Sequence, residues 1–196
     1  FNTIVEGFAN HAGTTPMFER RDALLSASKL TQAVHQEVKA QPGNQVGNIG
    51  LVKVLPGAPN VIPGKVQLSI ELRDLDENVV MDVFNRIRKR AHSIAAEDRT
   101  HIEIMPFASE GPALMDAGLQ NHIEDVAKDV NLNTLRLPSG AGHDAQNIAR
   151  HGIPTGMIFV KSKEGVSHNP AEWTDWEDCA RGVEMLYRSV ISLDES

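Results

Sequence analysis

Two histidines stand in loops rich in glycine and proline, one on each side of a short apolar run. His143 lies in the sequence SGAGHDAQ, residues 139–146, and His168 lies in SHNPAE, residues 167–172. Between them, residues 156–160 (GMIFV) are predicted to form a buried strand, because they are a brief apolar run bounded by turn residues. Loops at the ends of such strands carry the chemistry of many α/β enzymes, so both histidines are candidate functional residues.

Each of these histidines has more than one possible role. Imidazole is a common ligand of zinc and manganese, so His168 is a candidate ligand, although one histidine cannot make a metal site and a lone loop histidine is usually a surface residue. His143 could be a metal ligand, a structural residue at a helix start, or a substrate contact. The glycine-rich helix start beside it offers N–H groups suited to an anion or oxyanion. Asp144 fits the first turn of that helix better than a catalytic role.

Two further motifs lie in the first half of the chain. His11 is part of a turn-forming loop, NHAGTTPM, at residues 10–17, and Asn60 begins the sequence NVIPG at residues 60–64. Arg73 ends an alternating apolar and polar segment. Its planar guanidinium suits a carboxylate held by two parallel hydrogen bonds, and the alternative is a salt bridge to Glu71 or Asp74.

The elements that position the first two motifs follow from the spacing of apolar residues. Apolar residues at steps of three or four predict helices over residues 21–39 and from Asp76 or Asn78 to about residue 94. Alternating or apolar runs predict strands at residues 3–9, 46–54, 66–72 and 101–106. This β-α-β-β-α-β order is that of a split-βαβ sandwich, with two helices on one face of an antiparallel sheet.

The pattern changes after about residue 110. Helices are predicted over residues 114–130 and 144–150 and from Thr174 onward, with short strands at residues 134–137 and 156–160. Alternating helices and strands predict βα units on a parallel sheet. Two strands are too few for a self-sufficient domain of this kind.

Composition restricts the class of protein. The chain has 196 residues and a formal net charge of −7, which disfavours a nucleic-acid partner. It has no apolar run long enough for a membrane span and no visible signal peptide, although it starts at Phe1. The single cysteine, Cys179, indicates a reducing, cytoplasmic location, and it fits an inert position better than a nucleophile. No serine-hydrolase elbow or nucleotide-binding glycine motif is present.

Taken together and in this order, the four motifs resemble one family closely: the dinuclear-metal amidohydrolases that act on N-carbamoyl-amino acids, β-ureido acids, allantoate and ureidoglycolate. The resemblance implies an α/β fold with residues 1–110 as a split-βαβ lid and dimerisation domain. It implies that residues 111–196 are the C-terminal segment of the metal-binding domain. The opening half of that domain, with the other metal ligands and a glutamate base, is then expected before residue 1.

The resemblance also implies roles for single residues. His168 would hold one of two divalent ions, zinc or manganese, while Gly142 and His143 would face the substrate. His143 would also support the transition state. His11 would reach from the partner of a homodimer to stabilise the developing oxyanion.

For the substrate, the resemblance implies a small molecule whose carboxylate Asn60 and Arg73 would clamp. The expected reaction is hydrolysis of the carbamoyl C–N bond of an N-carbamoyl-L-amino acid, with allantoate or ureidoglycolate as the alternative substrate. An interpretation of another class is that the chain alone is an inactive lid and dimerisation module with an incomplete metal site.

Overall fold

The computed structural model describes residues 1–107 and 111–194. The chain is a mixed α/β protein that divides into two compact units, Phe1–Pro112 and Ala113–Ser196. Within the described ranges, no helix combines the length and the apolar character needed to cross a membrane.

The first unit is built on a four-stranded sheet in which all neighbouring strands are antiparallel. The strand order is β4-β6-β1-β8, with Val5 opposite Val66 and Ile102 on its two sides. Two short pairs, β2 with β5 and β3 with β7, continue the strands at either end. The elements of this unit are β1 (Asn2–Glu6), β2 (Asn10–His11), α1 (Ala23–Ala40), β3 (Val46–Asn48), β4 (Val52–Leu55), β5 (Val61–Ile62), β6 (Lys65–Ser69), β7 (Glu71–Arg73), α2 (Glu77–Asp98) and β8 (His101–Met105).

Both helices of the first unit begin at aspartates that cap free backbone N–H groups. Asp22 accepts hydrogen bonds from the backbone of Leu24 and Leu25 at the start of α1. Asp76 does the same for Asn78 at the start of α2, so it is Asp76, of the two predicted candidates, that caps the helix. The predicted boundaries of both helices are therefore close to the observed ones.

The core of the first unit lies between the sheet and one face of each helix. The predicted apolar stripes are confirmed for most of their residues in both helices, but Val38 of α1 and Val80 of α2 are only half-buried. Burial of these side chains supplies the main stabilising free energy, since removing apolar surface from water is favourable. The buried apolar residues of this core are Val5, Ala23, Ala27, Leu30, Ala33, Val34, Val66, Leu68, Ile70, Val83, Ile87, Ala91 and Ile94.

Gly7, immediately after β1, lets the backbone pass very close to the backbone of Arg21, just before α1. A Cβ atom at this position would lie 2.0 Å from the backbone oxygen of Arg21. The same oxygen accepts the backbone N–H of Phe8 at 2.8 Å, so the close approach is part of a hydrogen bond that ties the loop to the start of α1. Only glycine fits at this position.

A polar network beside this apolar core joins α1 to the C-terminal end of α2. The fully buried Ser26 hydroxyl donates to Asp98 Oδ2 at 2.9 Å, and it also lies 2.9 Å from the Thr100 hydroxyl. Lys29 Nζ donates to Asp98 Oδ1 at 2.6 Å, and this hydrogen bond is the main cause of a raised pKa for Lys29. A carboxylate near a helix C-terminus is disfavoured by the helix dipole, so the lysine offsets that cost.

We expect Asp98→Ala to lower the free energy of unfolding of the first unit by about 1.5–3 kcal/mol, because the buried Ser26 hydroxyl loses a hydrogen bond to a charged acceptor. Hydrogen exchange of the α1 and α2 amides measures this unit separately. Glu97→Ala is the matched control, since Glu97 bonds the same lysine but is 70% exposed. Equal effects of the two substitutions would contradict a special role for the buried acceptor.

The second unit contains three α-helices within its described residues: α3 (Ala117–Asp129), α4 (Asp144–Arg150) and α5 (Trp176–Asp194). Asp116 caps α3 by accepting the backbone N–H of Leu119 at 2.8 Å. The buried core of the second unit is small. It consists of Val126, Ala127 and Met185, with partly buried residues around them. One exposed face of α5 carries apolar side chains at helical spacing: Val183, Leu186, Tyr187 and Val190.

The strands predicted at residues 134–137 and 156–160 are wrong as regular elements, since the described residues of the second unit contain no strand. Residues 156–160 instead lie against α3 and α5, because a Cβ atom on Gly156 would lie 3.2 Å from Ile123 and one on Gly182 would lie 2.4 Å from Val160. A strand exists only through hydrogen bonds to a neighbouring strand. The predicted βα units on a parallel sheet in residues 111–196 are thus absent from the part of the chain described here.

Candidate functional site

His11 is held at the end of β2 by its own loop. Its Nδ1 atom accepts the backbone N–H of Gly13 at 3.0 Å, and its backbone oxygen accepts the Thr15 hydroxyl at 2.8 Å. Because Nδ1 is an acceptor, the proton of the neutral imidazole lies on Nε2. His11 is exposed, so this Nε2–H group is a donor directed away from the loop that holds the ring.

The loop after His11 is braced by Arg20. The guanidinium of Arg20 donates to the backbone oxygens of Ala12 at 2.5 Å and Thr15 at 3.1 Å. Gly13 completes the arrangement, since a Cβ atom there would lie 3.1 Å from the His11 ring. The sequence pattern predicts no individual role for either residue: Gly13 belongs to the turn-forming motif, and Arg20 lies outside it.

Asn60 lies beside His11. The backbone oxygen of Asn60 accepts the N–H of Ala12 at 2.9 Å, and the next residue, Val61, is the strand partner of His11. Two predicted site residues, 49 positions apart in the sequence, are therefore neighbours at one end of the first unit.

Arg73 lies at the opposite end of the same unit. Arg73 is the last residue of β7, which continues the line of β6, and Lys65 is the first residue of β6. Eight residue steps separate them. Each step of extended chain advances about 3.3 Å, so Arg73 is roughly 26 Å from Lys65. Asn60 immediately precedes β5, which lies past the Lys65 end of β6, so Asn60 is still further from Arg73 than Lys65 is. Within one chain the structure therefore does not bring Arg73 to Asn60 or His11.

The side chain of Arg73 is fixed by Glu71, the first of the two partners suggested by the sequence. Its Nε and Nη2 atoms both donate to Glu71 Oε1, at 3.0 and 2.5 Å. Arg73 is partly exposed, and a guanidinium carries five N–H donors in a planar fork. The ion pair thus orients a group whose geometry is suited to a carboxylate.

In the second unit, His143 precedes α4 in a glycine-rich loop. Its Nε2 atom lies 2.6 Å from the hydroxyl oxygen of Ser139, and the ring of Phe159 meets it edge-on at a centroid distance of 6.0 Å. Asp144 is the first residue of α4, as predicted. Gly142 is exposed, and an added Cβ atom there would meet no described atom within 4 Å.

His168 stands in a compact loop in an uncommon backbone conformation. Its φ angle is 54°, in the left-handed region that non-glycine residues rarely adopt. The backbone N–H of His168 donates to Glu172 at 3.0 Å, and the Asn169 side chain accepts the N–H of Ala171 at 2.9 Å. These bonds hold a conformation that costs roughly 1–3 kcal/mol, and Arg99, Asn131 and Glu164 adopt the same region of backbone angles.

A metal site requires several ligands in one place. In residues 1–107 and 111–194, no group of three or more histidine, cysteine, aspartate or glutamate side chains lies together so that it could hold an ion. His168 is therefore a single candidate ligand. The residues described do not by themselves fit a pair of divalent ions.

The segment that leads to the His143 loop is attached to α3 by Arg136. The Arg136 guanidinium donates to both carboxylate oxygens of Glu124, each at 2.7 Å, and to Asn121 at 2.7 Å. Residues 134–137 are therefore held by a side-chain fork rather than by a strand ladder. The hydrogen bonds from Arg136 are the main cause of a pKa of Glu124 below its ordinary value of 4.5.

Comparison with known proteins identifies the family. Residues 6–192 match peptidase family M20/M25/M40, and this chain belongs to that family. The resemblance inferred from the four motifs is confirmed.

Three relatives illustrate the match. An N-carbamoyl-L-amino acid amidohydrolase of Geobacillus stearothermophilus is 39% identical over 96% of this chain and 46% of its own length. An allantoate amidohydrolase of Escherichia coli (strain K12) is 36% identical over 95% of this chain and 45% of its own length. The crystal structure of an amidase of the hydantoinase/carbamoylase family from Burkholderia vietnamiensis has a TM-score of 0.91 at 29% identity, covering 97% of this chain and 46% of that one. The chain spans less than half the length of these relatives.

We expect Arg136→Gln to raise the pKa of Glu124 towards 4.5, because the Glu124 carboxylate loses the hydrogen bonds that most favour its charged form. The folded-state pKa is lowered, so the pair stabilises the protein above about pH 4.5 and this contribution disappears as the pH falls through the folded-state pKa. Carbon-detected NMR titration of the Glu124 carboxyl measures the shift. Arg188→Gln, which breaks the Glu184 pair on α5, should leave Glu124 unchanged; an unchanged pKa in Arg136→Gln would disprove the assignment.

Proposed function

We propose that this chain forms part of a metal-dependent amidohydrolase that cleaves the carbamoyl C–N bond of an N-carbamoyl-L-amino acid, releasing ammonia and carbon dioxide. The observation that carries the proposal is membership of family M20/M25/M40 together with 39% identity to an N-carbamoyl-L-amino acid amidohydrolase. The side chains described above supply groups that suit such a substrate, which has a carboxylate at one end and a carbamoyl carbonyl at the other.

In this proposal His11 acts on the carbamoyl carbonyl. When water adds to that carbon, negative charge develops on the oxygen. A donor already directed at this point lowers the barrier without reorganising. The Gly13 N–H keeps the proton of neutral His11 on Nε2, so the ring offers a donor at its exposed edge. In the second unit, His143 and Gly142 would contact the substrate.

Arg73 would bind the substrate carboxylate, with Asn60 as a second polar contact. Glu71 already orients the Arg73 fork, and two parallel N–H···O bonds would fix the direction of the substrate. Because Asn60 and His11 lie at one end of the sheet and Arg73 at the other, one chain cannot supply all three to one substrate. We therefore infer that each active site takes Arg73 from one protomer and His11 with Asn60 from its partner.

Such an arrangement requires a homodimer, and we propose that the first unit is the split-βαβ lid that forms it. Its strand order and its two helices support this assignment. The outer strand β4 leaves one backbone edge unpaired in the described sheet. Val52, its first residue, is 52% exposed, and Leu51 just before it is 56% exposed. An apolar edge strand is a surface on which a second copy of the sheet can pair.

The second unit would complete its fold with the additional length that the relatives possess. The exposed apolar face of α5 and the absence of a strand partner for residues 156–160 support this view. His168 would contribute one metal ligand, and the other ligands and the base would come from that additional length. The described residues do not by themselves form the metal site.

Allantoate is the second candidate substrate, because the chain is 36% identical to an allantoate amidohydrolase. Ureidoglycolate is a further alternative of the same chemical class. A polypeptide of the relatives' full length that carries this chain should be assayed for ammonia release on matched concentrations of N-carbamoyl-L-amino acids, allantoate and ureidoglycolate. Higher kcat/KM on allantoate would replace the first proposal by the second.

For the 196-residue chain alone, we expect neither ammonia release nor a stoichiometric metal pair, because the described residues offer one candidate ligand. Elemental analysis after dialysis against zinc or manganese measures the metal, with His168→Ala as the control for weak binding at that residue. Two tightly bound ions per chain would contradict this expectation. Activity of the full-length form without activity of the chain would separate an incomplete enzyme from an inactive lid module.

The shared site predicts a pattern of complementation between inactive full-length variants. Mixing His11→Ala with Arg73→Ala subunits should restore about a quarter of wild-type activity, because half of the dimers are mixed and one of their two sites is intact. Mixing His11→Ala with Asn60→Ala should restore none, since both changes damage the side that the partner supplies.

Subunit exchange in these mixtures is verified by mass spectrometry of differently labelled protomers. If exchange occurs and neither mixture regains activity, each site takes its residues from a single chain. If both mixtures regain activity, His11 and Asn60 serve different sites. Either result would refute the arrangement inferred from the sheet.

A further inference from the structure

Ser139 and His143 are joined by a short side-chain contact in the loop that leads into α4. The two atoms, Ser139 Oγ and His143 Nε2, are 2.6 Å apart, and both residues are half-buried. Their separation is four positions along a loop containing two glycines, Gly140 and Gly142. The motif was singled out for its histidine, and the serine had no role in that interpretation.

The direction of this hydrogen bond follows from what surrounds the hydroxyl. Ser139 Oγ accepts the backbone N–H of Ala141 at 3.2 Å, which occupies one lone pair. The hydroxyl has one proton to donate, and Nε2 is its nearest acceptor. If Nε2 carried the proton instead, the serine hydroxyl would find no acceptor among the described residues. Donation from Ser139 to Nε2 satisfies both groups and places the proton of the neutral imidazole on Nδ1.

The backbone of His143 and a contact with Phe159 also restrain the orientation of the ring. His143 has extended backbone angles, φ −133° and ψ 151°, and its backbone oxygen accepts the N–H of Gln146 at 2.9 Å. Its side chain makes no capping bond to α4 and turns to Ser139 instead. Phe159 packs against the ring edge at an interplanar angle of 60°. In the described part of the chain, Nδ1 has no hydrogen-bond partner, so it is the edge available to a ligand.

We propose that Ser139 is a positioning residue that holds His143 as the Nδ1–H tautomer and presents that N–H group to the substrate. The catalytic consequence rests on the proposed function, whereas the tautomer does not. His11 has the opposite assignment, since Gly13 occupies its Nδ1 and leaves the proton on Nε2. In the neutral form of each histidine, the position of the ring proton would thus be fixed by one local hydrogen bond to the other nitrogen.

The tautomer is measured by 15N NMR of the histidine rings in a histidine-labelled polypeptide of the relatives' full length that carries this chain, at a pH where the imidazoles are neutral. We expect the Nδ1–H form for His143 in the wild type. In Ser139→Ala, His143 should change to a mixture that includes the Nε2–H form. Ser139→Thr, which keeps the hydroxyl, should restore the wild-type pattern.

Ser162→Ala is the matched control, because Ser162 also holds a loop through its hydroxyl but bonds to the backbone of Val166. It should leave the His143 signals unchanged. An Nε2–H signal for His143 in the wild type would overturn the proposal. So would an identical tautomer in wild type and Ser139→Ala when amide spectra show that both are folded.

In a full-length form, Ser139→Ala should lower kcat of the order of tenfold with little change in KM, because a wrong histidine tautomer reduces turnover while binding persists. Ser139→Thr should recover most of kcat. If the NMR result holds but the wild type hydrolyses none of the carbamoyl or ureido substrates, the proposed function fails and the tautomer assignment stands. If the wild type is active and Ser139→Ala is unaffected, Ser139 does not position a group used in catalysis.

Discussion

The antiparallel ladder of β1 with β6, continued by β2 with β5, is the constraint on which the first unit depends. It aligns Val5 with Val66 beneath α1 and α2, and it ends where His11 meets Val61. Backbone hydrogen bonds fix this register, because a slip of one residue would turn every buried side chain to the opposite face. The same ladder sets two distances that matter for function: His11 lies beside Asn60, and Arg73 lies at the far end.

The second unit is organised differently. Its loops are held by single side chains, namely Arg136 on Glu124, Ser139 on His143 and Glu172 on the backbone of His168. Such contacts stabilise less than a buried ladder, since exposed ion pairs contribute little. Precise placement of a histidine requires only that its competing orientations be excluded, and one short hydrogen bond with one aromatic neighbour can achieve this.

In the proposed site, the two histidines, His11 and His143, would differ by one local contact. In one loop a glycine N–H occupies Nδ1, and in the other a serine hydroxyl occupies Nε2. An imidazole has two nitrogens, so blocking one of them as an acceptor decides which edge of the ring can donate. A ring N–H that is held in one direction in this way is suited to stabilising developing negative charge.

The sequence alone predicts the helices, Asp76 as a cap candidate, most of the buried stripe of α2 and the motifs that identify the family, because these depend on local spacing and residue chemistry. It also determined which histidines to consider. The tertiary structure decided that Asn60 adjoins His11 while Arg73 does not, since strand pairing joins residues far apart in the chain. It also decided that residues 134–137 and 156–160 are not strands here, since a strand needs a neighbour that periodicity cannot supply. The proposed role of Ser139 rests on a distance of 2.6 Å between two side-chain atoms, which residue spacing alone does not reveal.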